Sequence, residues 1–248
     1  MIQKIVALIL VRMGSTRLPG KAMIEIAGKP MLGHIISRVQ QAKLVDEVVV
    51  CTSVSTDNDV IEKYCSDINV SCFRGNESDV STRMLDALSF HNATVGVTIF
   101  GDCPLVDPNI IDQVVDHYLT SDYDFVGNDL KTTYPPGMEA EAFSVDIFAK
   151  AISCTPELSI REHGTLVLRG APHKYKLHNI DAPAHLNRPE LEIEVDEAVD
   201  IEVIEPIISR LGTGRDVDLA VIIKFLDENS DLIDINQSVS RRWKSFRT

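Results

Sequence analysis

Ten consecutive residues, Arg12-Met13-Gly14-Ser15-Thr16-Arg17-Leu18-Pro19-Gly20-Lys21, put three cations and two glycines directly behind a continuously apolar run, Ile5 to Val11. Arginine can grip two phosphate oxygens at once, lysine acts as a compact point charge, and glycine lets backbone amides turn inward. The segment therefore suits a polyanion such as a triphosphate, with a solvated basic loop between strand and helix as the plain alternative. It is not a Walker A loop: Gly14 and Gly20 are separated by five residues, and Ala22 stands where a magnesium-binding hydroxyl is needed. The chain also has no GxGxxG, which weakens a dinucleotide-binding reading.

Two carboxylates complement this loop. Asp102, in Gly101-Asp102-Cys103-Pro104, follows an apolar run from Val95 to Phe100, and Asp196, in Glu194-Val195-Asp196-Glu197, follows a second apolar and acidic alternation. Magnesium takes one or two carboxylates and completes its shell with water and phosphate oxygens, so two such acids facing a triphosphate pocket would suit it. Taken singly, each could equally be a helix cap or turn former. His163, in Arg161-Glu162-His163, is the only histidine in a conspicuously charged setting, and a helix-surface residue is its plain reading. There is no GxSxG and no Cys/His pair that would suggest a nucleophile. Asp57-Asn58-Asp59 reads as an N-cap cluster at the start of a helix rather than as an Asp-x-Asp metal motif.

The elements that must position these groups follow from periodicity. Strands are expected at residues 5–11, 47–52, 69–73, 95–100 and 192–195, and an exposed strand at 138–144 after the turn Tyr134-Pro135-Pro136-Gly137. Helices are expected from Met31 to Val39 and near 57–66, 79–91, 198–211 and 216–229. Alternating strands and helices specify an α/β protein with a doubly wound, mostly parallel sheet, whose ligand site lies beyond the strand carboxyl ends. Residues 1–238 form one expected domain, in which 129–182 is an insertion, lid or dimerisation section. Residues 239–248 are a basic tail carrying Arg241, Arg242, Lys244 and Arg247, expected to be solvated.

The chain has 248 residues, 44% hydrophobic, and a formal charge of −13. That size supports a full core, and the acidic balance argues against a general nucleic-acid or anionic-membrane binder. Five cysteines without CxxC spacing disfavour a disulfide framework and a structural zinc site, pointing to the cytoplasm. The apolar opening is too short for a signal peptide or spanning helix.

These residues together resemble the cytidylyltransferases that activate bacterial surface sugars: the CMP-3-deoxy-manno-octulosonate (KDO) synthetases, the acylneuraminate cytidylyltransferases and, most closely, the spore-coat-polysaccharide group. The resemblance rests on Arg12 to Lys21, Gly28-Lys29-Pro30-Met31, Phe73-Arg74-Gly75 with Asp79-Val80, Gly101 to Asp107, Arg161-Glu162-His163, and Val195-Asp196 with Asp200. It implies a nucleotide-diphospho-sugar transferase (Rossmann-like) fold and a nucleotidyltransferase in polysaccharide biosynthesis. CMP would pass from CTP to a sugar, a keto-sugar acid or a related surface sugar, with release of pyrophosphate and with Mg2+ as cofactor. By the same resemblance Arg12, Gly14, Ser15, Arg17 and Lys21 hold the triphosphate, Arg83 frames the nucleotide pocket, Asp102 and Asp196 are magnesium ligands, and Arg161 and His163 lie on the substrate side. Lys21, Arg12 and Asp102 would be the catalytic groups. A homodimer is implied, joined through the middle section with Tyr134 to Phe143 as an edge strand. The sequence reads Asp196-Glu197-Ala198-Val199-Asp200 where these enzymes usually have Asp-Thr-Pro-Glu-Asp. The alternatives are a nucleotidyltransferase for another base or a non-sugar acceptor, and a nucleotide-binding module without catalysis.

Overall fold

The computed structural model describes residues 3–241; most of the expected basic tail, 242–248, lies outside the described residues. In chain order the elements are β1 (Ile5–Leu10), β2 (Glu25–Ile26), β3 (Lys29–Pro30), α1 (Met31–Val39), β4 (Glu47–Ser53), α2 (Asp59–Asp67), β5 (Ser71–Gly75), α3 (Val80–Phe90), β6 (Val95–Phe100) and α4 (Pro108–Thr120). They continue with β7 (Phe125–Gly127), β8 (Ala140–Ser144), α5 (Val145–Ser153), α6 (Leu158–Arg161), α7 (Leu166–Arg169), β9 (Leu177–Asn179), α8 (Ala198–Leu211), α9 (Leu219–Glu228) and α10 (Asp231–Ile235).

Seven strands form one sheet in the order β5-β4-β1-β6-β8-β7-β9, and β2 and β3 make a separate small hairpin. Neighbours are parallel from β5 through β6 and between β7 and β9, while β8 runs antiparallel to both β6 and β7. The side chains of β1 alternate between two cores: Ile5, Ala7 and Ile9 pack on one face with α1, α4 and α8, and Val6 and Leu8 pack on the other with α3, α5 and Phe143. A strand covered on both faces has no polar side to show, which is why β1 reads as an unbroken apolar run. Among the described residues no helix is long and apolar enough to cross a membrane.

Three expectations need correction. Residues 138–144 do not form an exposed edge: β8 lies inside the sheet with Ala140, Glu141, Ala142 and Phe143 buried. The 129–182 section contributes two strands, β8 and β9, to the main sheet, and Tyr134 to Phe143 offers no free edge. Residues 192–195 do not form a strand and are held at two points, where Ile193 N donates to Pro136 O (3.0 Å) and Val195 N to Asp102 O (2.8 Å). Finally, the beginning of the tail is docked, since Arg241 is buried.

Arg38 on α1 is fully buried and donates to four backbone carbonyls: Val106 and Val217 at 2.8 Å, Gly214 at 3.0 Å and Leu105 at 3.4 Å. It ties α1 to the turn after β6 and to the segment before α9. Replacing it leaves several buried acceptors unpaired, each costing about 1–3 kcal/mol. Arg38→Met is therefore expected to lose about 3 kcal/mol or more in urea denaturation; a loss under about 1 kcal/mol would show that the network carries little of the stability.

Candidate active site

The loop after β1 is held at its base and turned at its end. Met13 N donates to Asn58 Oδ1 (2.8 Å), and Asn58 Nδ2 donates to Ser53 Oγ (2.7 Å), so the residue expected to cap α2 instead anchors the loop. Gly20, at φ 74°, takes the left-handed conformation that begins the 3-10 turn Lys21–Met23, and its amide bonds back to Met13 O (2.9 Å). Gly14 has no positive φ, so only Gly20 supplies the conformational freedom expected of both glycines. At the end of β6, a Cβ on Gly101 would lie 2.4 Å from Leu10 O. That close approach brings Asp102 beside the root of the loop.

Lys21 joins three separate stretches of chain. Its Nζ donates to Asp102 Oδ2 (3.1 Å), Asp196 Oδ1 (3.3 Å) and Val195 O (2.7 Å), which uses all three ammonium hydrogens. Arg17 reaches the other oxygen of Asp196 at 2.5 Å. Burial pushes the Lys21 pKa down, but Asp102 and Asp196 outweigh it and hold the value above that of an ordinary lysine. The Asp102 carboxyl is correspondingly held below its usual value, because Lys21 overcomes the upward effect of burial. Asp102 therefore stays ionised and Lys21 stays cationic around neutral pH.

Two adjoining cavities meet at this cluster. One, of about 350 Å³, is lined by Arg12, Gly14, Ser15, Thr16, Arg17 and Lys21 together with Asp102 and Asp196. The other, of about 440 Å³, shares Arg12, Arg17, Asp102 and Asp196 and extends past Arg83, Glu139, His163, Thr165, Arg169 and Glu194. Arg12 also pairs with Glu77 (3.4 Å). Arg83 is buried and donates to the carbonyls of Asn76 (2.7 Å) and Glu77 (3.3 Å), so it frames the pocket by fixing the 76–77 loop. Arg161 lines neither cavity: its guanidinium pairs with Asp79 and donates to Thr82 Oγ1 (2.5 Å), clamping α6 to the start of α3.

The structure adds acids that motif reading passed over. Glu139 and Glu194 line the larger cavity beside Asp102, and burial followed by Glu139, Asp102 and Asp196 pushes the Glu194 pKa up to about 10. The alternation Glu192-Ile193-Glu194-Val195-Asp196 was the available signal, because side chains two apart on an extended segment share a face. Glu141, fully buried on β8, pairs with Arg169 (2.7 Å) and accepts from Thr165 Oγ1 (2.8 Å).

The donor set fits magnesium. Asp102 and Asp196 already bring oxygens to within 3.3 Å of one cationic nitrogen, so both can address a single cation. Among the described residues no group of three or more His, Cys, Asp or Glu could hold an ion alone, so further ligands would have to come from water and phosphate, as magnesium prefers.

Known proteins resemble this chain in both fold and sequence. A cytidylyltransferase from Leptospira borgpetersenii superposes with a TM-score of 0.89 at 29% identity, over 97% of this chain and 100% of that one. The spore coat polysaccharide biosynthesis protein SpsF of Bacillus subtilis is 28% identical over 234 residues, 92% of this chain and 95% of its own length. An uncharacterized protein of Methanocaldococcus jannaschii is 30% identical over 244 residues, 98% of both chains. The cytidylyltransferase family model matches residues 6–197, a span that contains the loop, Asp102 and Asp196, and the chain belongs to the cytidylyltransferase family.

Proposed function

We propose that this protein transfers CMP from CTP to a hydroxyl of a surface-polysaccharide sugar, releasing pyrophosphate, with magnesium held by Asp102 and Asp196. The observation that carries the reading is the meeting of Lys21, Arg17, Asp102 and Asp196, from three distant stretches of chain, where the two cavities join. The smaller cavity, walled by the loop cations, takes the triphosphate. The larger one gives the nucleoside and the acceptor their places.

Arg12, Arg17 and Lys21 attract the triphosphate and counter the charge that grows on pyrophosphate as the bond from the α-phosphorus to the bridging oxygen breaks. A sugar hydroxyl attacks the α-phosphorus from the side opposite the leaving group and gives up its proton to solvent as the new phosphate ester forms. Bound magnesium would polarise the α-phosphate and lower the pKa of that hydroxyl. Lys21 pairs with both Asp102 and Asp196, and Arg17 with Asp196, so the two acids are balanced by cations in the folded protein. The polysaccharide-biosynthesis name of the Bacillus subtilis relative supports a sugar acceptor.

Pyrophosphate release with CTP, UTP, GTP or ATP, magnesium and a panel of keto-sugar acids, deoxy sugars and amino sugars tests this directly. Release with CTP well above the other three nucleotides is expected. Equal release with another nucleotide, or tight CTP binding without release over the whole panel, would overturn the reading.

A further inference from the structure

Asp196 lies just before α8 on an irregular segment, and its aim depends on what holds that segment from behind. Asp200, fully buried on the first turn of α8, accepts from Asp196 N (2.8 Å) and Glu197 N (2.7 Å) through Oδ2. Its Oδ1 accepts from Asn236 Nδ2 (2.8 Å). The backbone amide of Asp196 is thereby fixed, and with it the direction in which the side chain leaves the backbone.

Arg241, 41 residues further on, closes over Asp200. Its Nη1 and Nη2 lie 2.9 and 2.6 Å from Asp200 Oδ2 and Oδ1, and its Nε lies 3.4 Å from Glu192 Oε2. The side chain is completely buried. Next to it, Ser240 O accepts from Arg17 Nη1 (3.2 Å), and Nη2 of the same guanidinium holds Asp196 Oδ2 at 2.5 Å. Two consecutive residues of the carboxyl-terminal segment therefore reach Asp196 by independent routes. One runs through Asp200 to its backbone, and the other runs through Arg17 to its carboxylate.

A helix start needs only Asp200, which already caps α8 reciprocally with Glu197. A buried guanidinium bound to both oxygens of that carboxylate does something more: it adds a charged, two-pronged hold to the two amides and Asn236 that already orient Asp200. Outer groups that orient a metal ligand in this way affect metal affinity by about 10- to 100-fold.

We propose that Arg241 is a positioning residue for Asp196, acting through Asp200, so that the carboxyl-terminal segment is a working part of the nucleotide site. The inference rests on the metal role given to Asp196 above. Its test compares the CTP dissociation constant of the full chain in magnesium with that in EDTA, by calorimetric titration, for the wild type, Arg241→Lys and Arg241→Met, with thermal unfolding alongside. In Arg241→Met the magnesium-dependent gain in CTP affinity should fall by about 10-fold or more, while the EDTA value stays within about twofold. Arg241→Lys, which keeps the charge but not the two-pronged grip, should fall between and serves if the methionine variant does not fold. A gain within about twofold of wild type in every variant that folds would overturn the proposal, as would a parallel loss in magnesium and in EDTA. A wild type with no magnesium-dependent gain would instead refute the metal role of Asp196, and the positioning role with it.

Discussion

Asp102→Asn is expected to lower magnesium-dependent pyrophosphate release by at least about 100-fold while leaving the fold in place. A metal that polarises a phosphoryl oxygen supplies several kcal/mol of transition-state stabilisation, and about 1.4 kcal/mol is worth tenfold in rate. Asparagine keeps one oxygen that can accept from Lys21 but removes the anionic donor that a hard cation needs. The stability cost should be small. The Asp102 side chain is 30% exposed, Lys21 retains Asp196 and Val195 O, and a partly exposed ion pair contributes little in water. Thermal unfolding is expected to shift by no more than about 4 °C, the change that about 1 kcal/mol produces in a domain of this size. Retained turnover would remove Asp102 from the metal site, and a large drop in melting temperature would make it a structural residue.

Lys21→Met should separate two functions that are joined in the wild type. Losing one preorganised donor to a developing charge typically costs 100- to 1000-fold in rate, and the same range is expected for pyrophosphate release here. Binding of Mn2+ without nucleotide should move the other way. The ammonium lies between Asp102 and Asp196 and competes for the oxygens that a metal needs, so its removal should tighten Mn2+ binding as measured by paramagnetic resonance. A general weakening of the structure cannot produce opposite signs. If both activities fell together, Lys21 would be holding the acids in place rather than sharing them with a metal.

The first half of the chain and its part of the candidate site were readable because their signals are local. An unbroken apolar run, a glycine-bearing basic loop and an amphipathic helix occur in succession, and β1, the loop and α1 follow that order. The position of Asp102 beside the loop was legible for the same reason, as the acid just past a buried strand. The position of Asp196 was legible only in part: the segment before it does reach Asp102 at the end of β6, but by backbone hydrogen bonds rather than as a strand.

What escaped the sequence is buried charge. On β8 the alternation Ala140-Glu141-Ala142 suggests a solvent face, yet Glu141 is fully buried against Arg169 and Thr165. Arg38 interrupts the α1 stripe as a surface residue would, and its partners lie 67 to 179 positions away. Arg241 sits in a basic stretch that resembles a solvated end, while the acid it meets belongs to α8. Burying such a charge is tolerable only when partners from elsewhere meet it, and a local pattern carries no record of those partners.

The most direct measurement is a crystal structure of the protein with CTP and Mn2+, using anomalous scattering to locate the metal. The expected result is a metal peak shared by Asp102, Asp196 and phosphate oxygens, with Lys21 and Arg17 turned onto the triphosphate. A nucleotide bound elsewhere, or a metal peak away from both acids with Lys21 still bridging them, would contradict it.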